Sequence, residues 1–327
     1  MAGERFLVTG AMGCLGAWTA KLLLEEAVDA VVLFDLSTET RRLRLLLPDD
    51  ARRRAVLVAG DLTDVTAVAR VVGEHGITHI VHLAALQVPF CRADPVGGAR
   101  VNVVGTVNVF EAVRAHAEHV RGIAYASSAA VFGPPSLYPG GVAPDEGPLA
   151  PATLYGAYKQ CNEGTARVYA ADHGVRSVGL RPCTVYGPGR DQGLTSAPTM
   201  AMLAAAAGVP YRIMFRGATT FQHAADAARD FIAAARRAPE GAPVVNCGGE
   251  AAAIDEVVAA IHDVVPASRH LIGAAGDPLP FPERYASDGI RALLGPLPYR
   301  PLRAGIGESI AMFRDLLGRG LLAPPAA

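Results

Sequence analysis

Over the first 181 positions, apolar residues come in short unbroken runs, each followed by a stretch with helical spacing. Residues 6–9, 30–35, 55–59, 78–83, 122–127 and 175–181 read as strands. Residues 15–27 and a long stretch around 155–172 read as helices. A strand with one wet face alternates apolar and polar side chains. These runs do not alternate, so both of their faces are covered. Buried strands alternating with helices predict an α/β fold with a doubly wound parallel sheet. Beyond Arg181 the pattern loosens. Pro182, Gly187, Pro188, Gly189 and Gly193 mark an irregular loop. Residues 197–208, 224–237 and 254–265 read as helices, residues 244–247 as a strand, and residues 323–327 are expected to fray. The division expected is a main domain over 1–181, with return segments near 218–248, and a smaller, discontinuous lobe over 182–327.

Composition narrows the function class without naming it. Hydrophobic residues make up 51% of the 327 positions, enough for a sizeable core. A net charge of −1 gives no electrostatic reason to expect nucleic acid or an anionic membrane as partner. No apolar run reaches the roughly 20 residues that span a bilayer, and the N-terminus carries no secretory pattern. The five cysteines, Cys14, Cys91, Cys161, Cys183 and Cys247, are isolated and form no CxxC pair. They are expected to be free thiols in a reducing cytoplasm, with no metal site.

Candidate chemistry sits in two places about 140 residues apart. The first is Thr9-Gly10-Ala11-Met12-Gly13-Cys14-Leu15-Gly16, where the first strand turns into the first helix. Gly10, Gly13 and Gly16 let the backbone approach a pyrophosphate, and the helix N-terminus offers it free N–H groups. The spacing is GxxGxxG rather than GxGxxG. Asp35, at the end of the second strand, is expected to accept from the adenosine ribose and to repel a 2′-phosphate, which favours NAD over NADP. Arg41, Arg42 and Arg44 read as the solvated face of a helix. Asp61, ahead of Leu62, reads equally well as an acceptor for an adenine amino group or as the N-cap of the next helix.

The second place is Tyr155-Gly156-Ala157-Tyr158-Lys159, with Ser127-Ser128 upstream. Tyr155 and Lys159 are four apart on a predicted helix and share a face. A phenol of pKa about 10 is a poor base, and bringing it to ~7 takes roughly 4 kcal/mol of differential stabilisation. The Lys159 ammonium and a positive nicotinamide ring both favour the phenolate. Ser128 is expected to hold the substrate oxygen.

Taken with His82-Leu83-Ala84-Ala85, Asn102-Val103-Val104-Gly105-Thr106, the 127–133 segment and the 180–189 segment, these motifs resemble the extended short-chain dehydrogenases/reductases, the NAD-dependent epimerase/dehydratase family. The resemblance runs over nearly the whole chain. It implies a seven-stranded NAD-binding Rossmann domain and a C-terminal substrate-binding lobe. It implies a catalytic set of Ser128, Tyr155 and Lys159, with Asn102 supporting the proton relay. By the same resemblance Cys14 and Leu15 join the glycine turn, Asp61 and Leu62 the adenine end, and Ala84 lines the cofactor. Pro182 and Val185 pass beside the nicotinamide, and Lys159 also holds its ribose. A homodimer through a four-helix bundle is implied too, built from residues 96–116 and 152–172. The small Gly98, Ala99, Gly105 and Ala112 would allow that close packing, and serve packing within one subunit equally well.

Two departures narrow the activity. Family dehydratases carry acidic residues directly after the catalytic serine or threonine, whereas Ala129 and Ala130 follow Ser128. Nucleotide-sugar members carry diphosphate-binding arginines in two stretches that here read Thr219-Thr220-Phe221-Gln222-His223 and Ala274-Ala275-Gly276-Asp277. Without those arginines the expectation leans to a small polar substrate without a nucleotide: a sugar, uronate, polyol or hydroxy compound. Gln87, Ser127, Ser128, Thr184 and Arg190 are the expected substrate contacts. The leading reading is an NAD-dependent dehydrogenase acting on a secondary alcohol, with Tyr155 as general base. A sugar or nucleotide-sugar epimerase with tightly bound NAD is the alternative, and a non-catalytic dinucleotide sensor a third.

Overall fold

In the computed structural model, which describes residues 3–325, the seven expected strands join one sheet. They are β1 (Arg5–Thr9), β2 (Ala30–Asp35), β3 (Val56–Ala59), β4 (His79–His82), β5 (Gly122–Ala126), β6 (Ser177–Arg181) and a later edge strand, Val244–Asn246. The spatial order is edge strand, β6, β5, β4, β1, β2, β3, and every pairing is parallel. The order reverses direction beside β1, between β4 and β2, so the carboxyl ends there open a crevice. The expected fraying of 323–327 falls partly on residues outside the described range.

Alternation along the strands builds the two cores. Phe6 and Val8 point to one face and meet Ala17, Trp18 and Leu23 of α1 (Cys14–Glu25) and Phe231 of an alanine-rich helix, Ala224–Arg236. Leu7 points to the other and meets Ile80, Ile123, Val109 and Phe110. Each side chain is essentially sealed from water, and burying one contributes about 1.5–3 kcal/mol. That two-sided burial is why the strand sequences show no polar alternation. The second lobe has its own core around Met202, Phe215, Phe221, Ile254, Ile306 and Phe313. Its strand Ala218–His223 pairs with Thr184–Tyr186 and Glu250–Ala253 rather than with the main sheet.

Gly98, Gly105 and Ala112 on the helical stretch 96–116 serve packing inside the subunit. A Cβ on Gly98 would lie 3.1 Å from Cys91 and 3.2 Å from Tyr158, and one on Gly105 would lie 2.7 Å from Leu62. Ala112 is buried in the sheet core. Among the described residues, no helix is long and apolar enough to cross a membrane.

Candidate active site

The glycine turn lies at the crevice. Gly10 has φ +66°, and a Cβ there would sit 2.6 Å from the Ala84 backbone nitrogen, so only glycine fits between β1 and β4. Gly13 is the N-cap of α1. It supplies no capping side chain, and the first turn holds no acidic residue. The leading N–H groups of α1 are therefore left for an external acceptor, the arrangement a pyrophosphate needs. Asp35 Oδ2 accepts from the Met12 N–H (2.9 Å), and Oδ1 from Ser37 (3.3 Å). These bonds fix the carboxylate at a cleft of about 260 Å³ lined by Met12, Gly13, Asp35, Ser37, Glu39, Arg41 and Arg42. The donor set and the uncapped helix fit a dinucleotide.

Asp61 does not cap the next helix. Asp64 does, accepting from Thr66 and Ala67, while the exposed Asp61 closes a local turn to Thr63 (2.8 Å). Either aspartate satisfies the cap preference in sequence; chain direction puts the helix start three residues later.

The proton-transfer group comes from a helix and a turn pressed together. Thr153 caps α2 (Leu154–His173) by accepting from Gly156 (3.1 Å). Gly156 lies against the Ala130 carbonyl, where any side chain would collide. This contact draws the first turn of α2 onto the segment after β5 and sets Ser128 beside the Tyr155 phenol. Ser128 Oγ also accepts from the Ala130 N–H (3.1 Å).

Lys159 is buried, and its ammonium donates to the Ala126 carbonyl (2.6 Å), 5.6 Å from the Tyr155 ring centre. Burial pulls its pKa down to about 8. Burial also raises the Tyr155 phenol; the neighbouring Ser128 hydroxyl and the positive charge of Arg190 oppose that rise. The lysine ammonium donates to a carbonyl at the end of β5 and stays over the Tyr155 ring, and the positive charge of Arg190 also favours the phenolate.

Asn102 lies in a π-helical turn, Arg100–Val104, with its side chain bonded to both backbone groups of Leu86 (2.7 and 2.9 Å). Its carbonyl accepts from Asn162 (2.9 Å) and Thr106 (2.7 Å). It fixes the loop after β4 against α2 and makes no contact with Tyr155 through these bonds. His82 sits between Thr9 and Thr106, and burial drives its pKa down to about 3, so it is a neutral structural ring.

Two expected substrate contacts are occupied elsewhere. Ser127 is buried and donates to Glu163 (2.5 Å), which is held in turn by Arg181 (2.8 Å). The Thr184 hydroxyl pairs with Thr219 (3.0 Å) in the lobe interior. Side chains alternate along an extended segment, so Ser127 and Ser128 point to opposite sides. Pro182 anchors the site by accepting from Ala129 (3.1 Å), and Val185 is buried beside it. Gln87 and Arg190 do come together. Gln87 abuts Gly193, and Arg190 reaches Thr195 (3.0 Å) with its Nε buried and unpartnered.

The sequence reading missed Arg42 and Asp191. Arg42 is not on a solvated face. It donates to Met12 O in the glycine turn (2.9 Å), to Gly189 O (3.1 Å) and to Asp191 (2.6 Å), and Arg41 also pairs with Asp191. No local signal links residues 149 apart.

The pattern for "NAD dependent epimerase/dehydratase family" matches residues 6–248. The UDP-glucose 4-epimerase of Azospirillum brasilense is 30% identical over 335 residues, covering 94% of this chain and 91% of that protein. The UDP-glucose 4-epimerase of Corynebacterium glutamicum is 33% identical over 184 residues, 56% of this chain, and the match spans about half (52%) of the relative's length. Among solved structures, the UDP-glucose 4-epimerase of Thermus thermophilus in complex with NAD superposes with a TM-score of 0.80 at 25% identity, covering 95% of this chain and 99% of that one. With the pattern match over most of the chain and a relative aligned nearly end to end, this chain belongs to the NAD-dependent epimerase/dehydratase family.

Proposed function

We propose that the protein is a cytoplasmic, homodimeric, NAD-dependent sugar epimerase whose substrate is nucleotide-linked. The carrying observation is the placement of Ser128 beside the Tyr155 phenol, with buried Lys159 one turn on, at the crevice that holds the uncapped glycine turn. Ser128 holds the oxygen of a secondary hydroxyl, and Tyr155 takes its proton. NAD, when bound, supplies the hydride acceptor for the carbon bearing that oxygen and returns the hydride afterwards. The carbon is inverted when the ketone presents its opposite face for the hydride's return, and Tyr155 gives the proton back to the oxygen in that same step. Lys159, fixed to Ala126 O, keeps the first turns of α2 in register with β5. Ala129 and Ala130 offer no extra acid or base for a dehydration. Asp35 at the cleft favours NAD over NADP.

The names of the relatives support a nucleotide-linked substrate. Arg216, next to the second of the two arginine-free stretches, is half exposed and already bound to Asp255 (3.3 Å) and Ala274 O (3.0 Å), so it does not replace the absent arginines. The absent arginines favour a second reading, a dehydrogenase on an unlinked sugar or uronate that releases reduced cofactor. Arg190 and Gln87 are the polar groups on the substrate side in either reading. Five free thiols accord with a reducing compartment.

The test is incubation of purified protein with UDP-glucose, UDP-glucuronate and the unlinked sugars, followed by proton NMR and by absorbance of reduced cofactor. The proposal predicts an epimer of a UDP-sugar with no net cofactor reduction. Stoichiometric reduction of added NAD by an unlinked sugar would establish the second reading instead.

A further inference from the structure

We propose that Arg42 and Asp191 form a latch that holds the 187–193 loop across the dinucleotide cleft and sets how long the cofactor stays bound. The inference rests on the NAD-binding reading above and concerns residues outside its catalytic set.

The loop has little to hold it shut by itself. Gly187, Gly189 and Gly193 all adopt positive φ, and the loop carries no regular structure before Leu194. Its closed position is made by side chains from the nucleotide-binding side. Trp18 on α1 donates to the Pro188 carbonyl (2.9 Å), and Arg42 donates to the Gly189 carbonyl (3.1 Å). Arg42 then bonds Asp191 through two nitrogens, at 2.6 and 3.2 Å, while its remaining nitrogen bonds Met12 O. One guanidinium therefore joins the glycine turn, the loop backbone and the loop carboxylate.

The pair is positioned to matter. Arg42 is 16% exposed and Asp191 23%, so water screens the pair only partly. Arg41 and Arg42 both line the cleft that also holds Gly13 and Asp35. Between Gly189 and Asp191, both held by Arg42, the loop carries Arg190, whose charge acts on both Cys14 in the glycine turn and Tyr155. A dinucleotide seated on the turn and reaching the phenol runs under this loop, so leaving requires the loop to lift. An epimerase keeps its cofactor between turnovers, and a latch of this kind serves that need.

Asp191→Asn keeps the shape and removes the charge; Arg42→Met is the second variant, removing the donor fork. Trp18, the only tryptophan, reports from within the loop contact, so its fluorescence in stopped-flow displacement gives the NAD dissociation rate directly. Circular dichroism and thermal melts of the ligand-free proteins separate loss of fold from loss of the latch. The expected result is dissociation about tenfold faster or more in both variants, at unchanged ligand-free melting. Added salt should speed release from the wild type and not from Asp191→Asn, a difference that a purely structural aspartate would not produce. Equal dissociation rates in wild type and in either folded variant would overturn the latch and leave the NAD reading standing. Wild-type protein that takes up no NAD would overturn both.

Discussion

Lys159 carries a cost that its role explains. Its ammonium is buried at the base of the site, with a pKa of about 8 against an ordinary 10.5. At neutral pH both folded and unfolded chains are protonated there, and the folded chain bears a desolvated charge. As pH rises from about 8 towards 10.5, the folded chain loses the proton before the unfolded one does, so this contribution to stability is regained with rising pH and lost as pH falls through 8. The shift corresponds to roughly 3 kcal/mol. Lys159→Met is therefore expected to be about 1–3 kcal/mol more stable than wild type at neutral pH, after the lost bond to Ala126 O, while losing turnover. Denaturant unfolding at neutral pH and near pH 10 checks this; the gap should shrink at the higher pH. Tyr155, Lys159, Ser128 and Gly10 were legible in the sequence because each belongs to a short motif. The split between Ser127 and Ser128 was not, since it depends on which face of an extended segment meets Glu163. Nor was the second cation near Tyr155: Arg190 arrives from a loop well downstream of the helix that carries the phenol.

At the scale of elements, the main-sheet strands were readable from unbroken apolar runs and several helices from their spacing, with ends displaced by one or two residues, whereas the second lobe's strand Ala218–His223 and helix Leu302–Gly318 were not read. The Arg42–Asp191 contact was hidden for the opposite reason. It joins a short helix, Arg41–Leu46, to an irregular loop, and neither carries periodicity that points to the other. The long helix α2 shows what periodicity does reveal once burial is known. Leu154, Ala157, Cys161 and Val168 follow helical three–four spacing and lie exposed, as do Val96 and Val104 on the neighbouring helical stretch. The proposed dimer would cover this seam, whereas the small residues first expected there are spent within the subunit. Val168→Arg, at a position 56% exposed, leaves the core untouched and should shift the protein from dimer to monomer in sedimentation. A wild-type monomer at micromolar concentration would remove the seam's assigned role.

For the whole molecule, the decisive fact is the reversal of strand order beside β1. It places the carboxyl end of β1, with its uncapped helix, next to the ends of β4 and β5. Ser128 follows β5 directly, and α2 delivers Tyr155 to it through the close Gly156 contact. The second lobe then lays the 187–193 loop back over the glycine turn. Sheet order and lobe contacts join residues far apart in the chain; the family resemblance anticipated the first, and no local pattern encoded the second.

The central claim is that the Tyr155 phenol moves the proton while a dinucleotide at the glycine turn serves the same carbon. Its most direct test is Tyr155→Phe, assayed for turnover of the substrate found in the UDP-sugar panel and for NAD binding on the same preparation. The account predicts turnover reduced by about 10²–10⁴-fold with NAD affinity unchanged. A phenylalanine variant that binds NAD and turns over at the wild-type rate would contradict it.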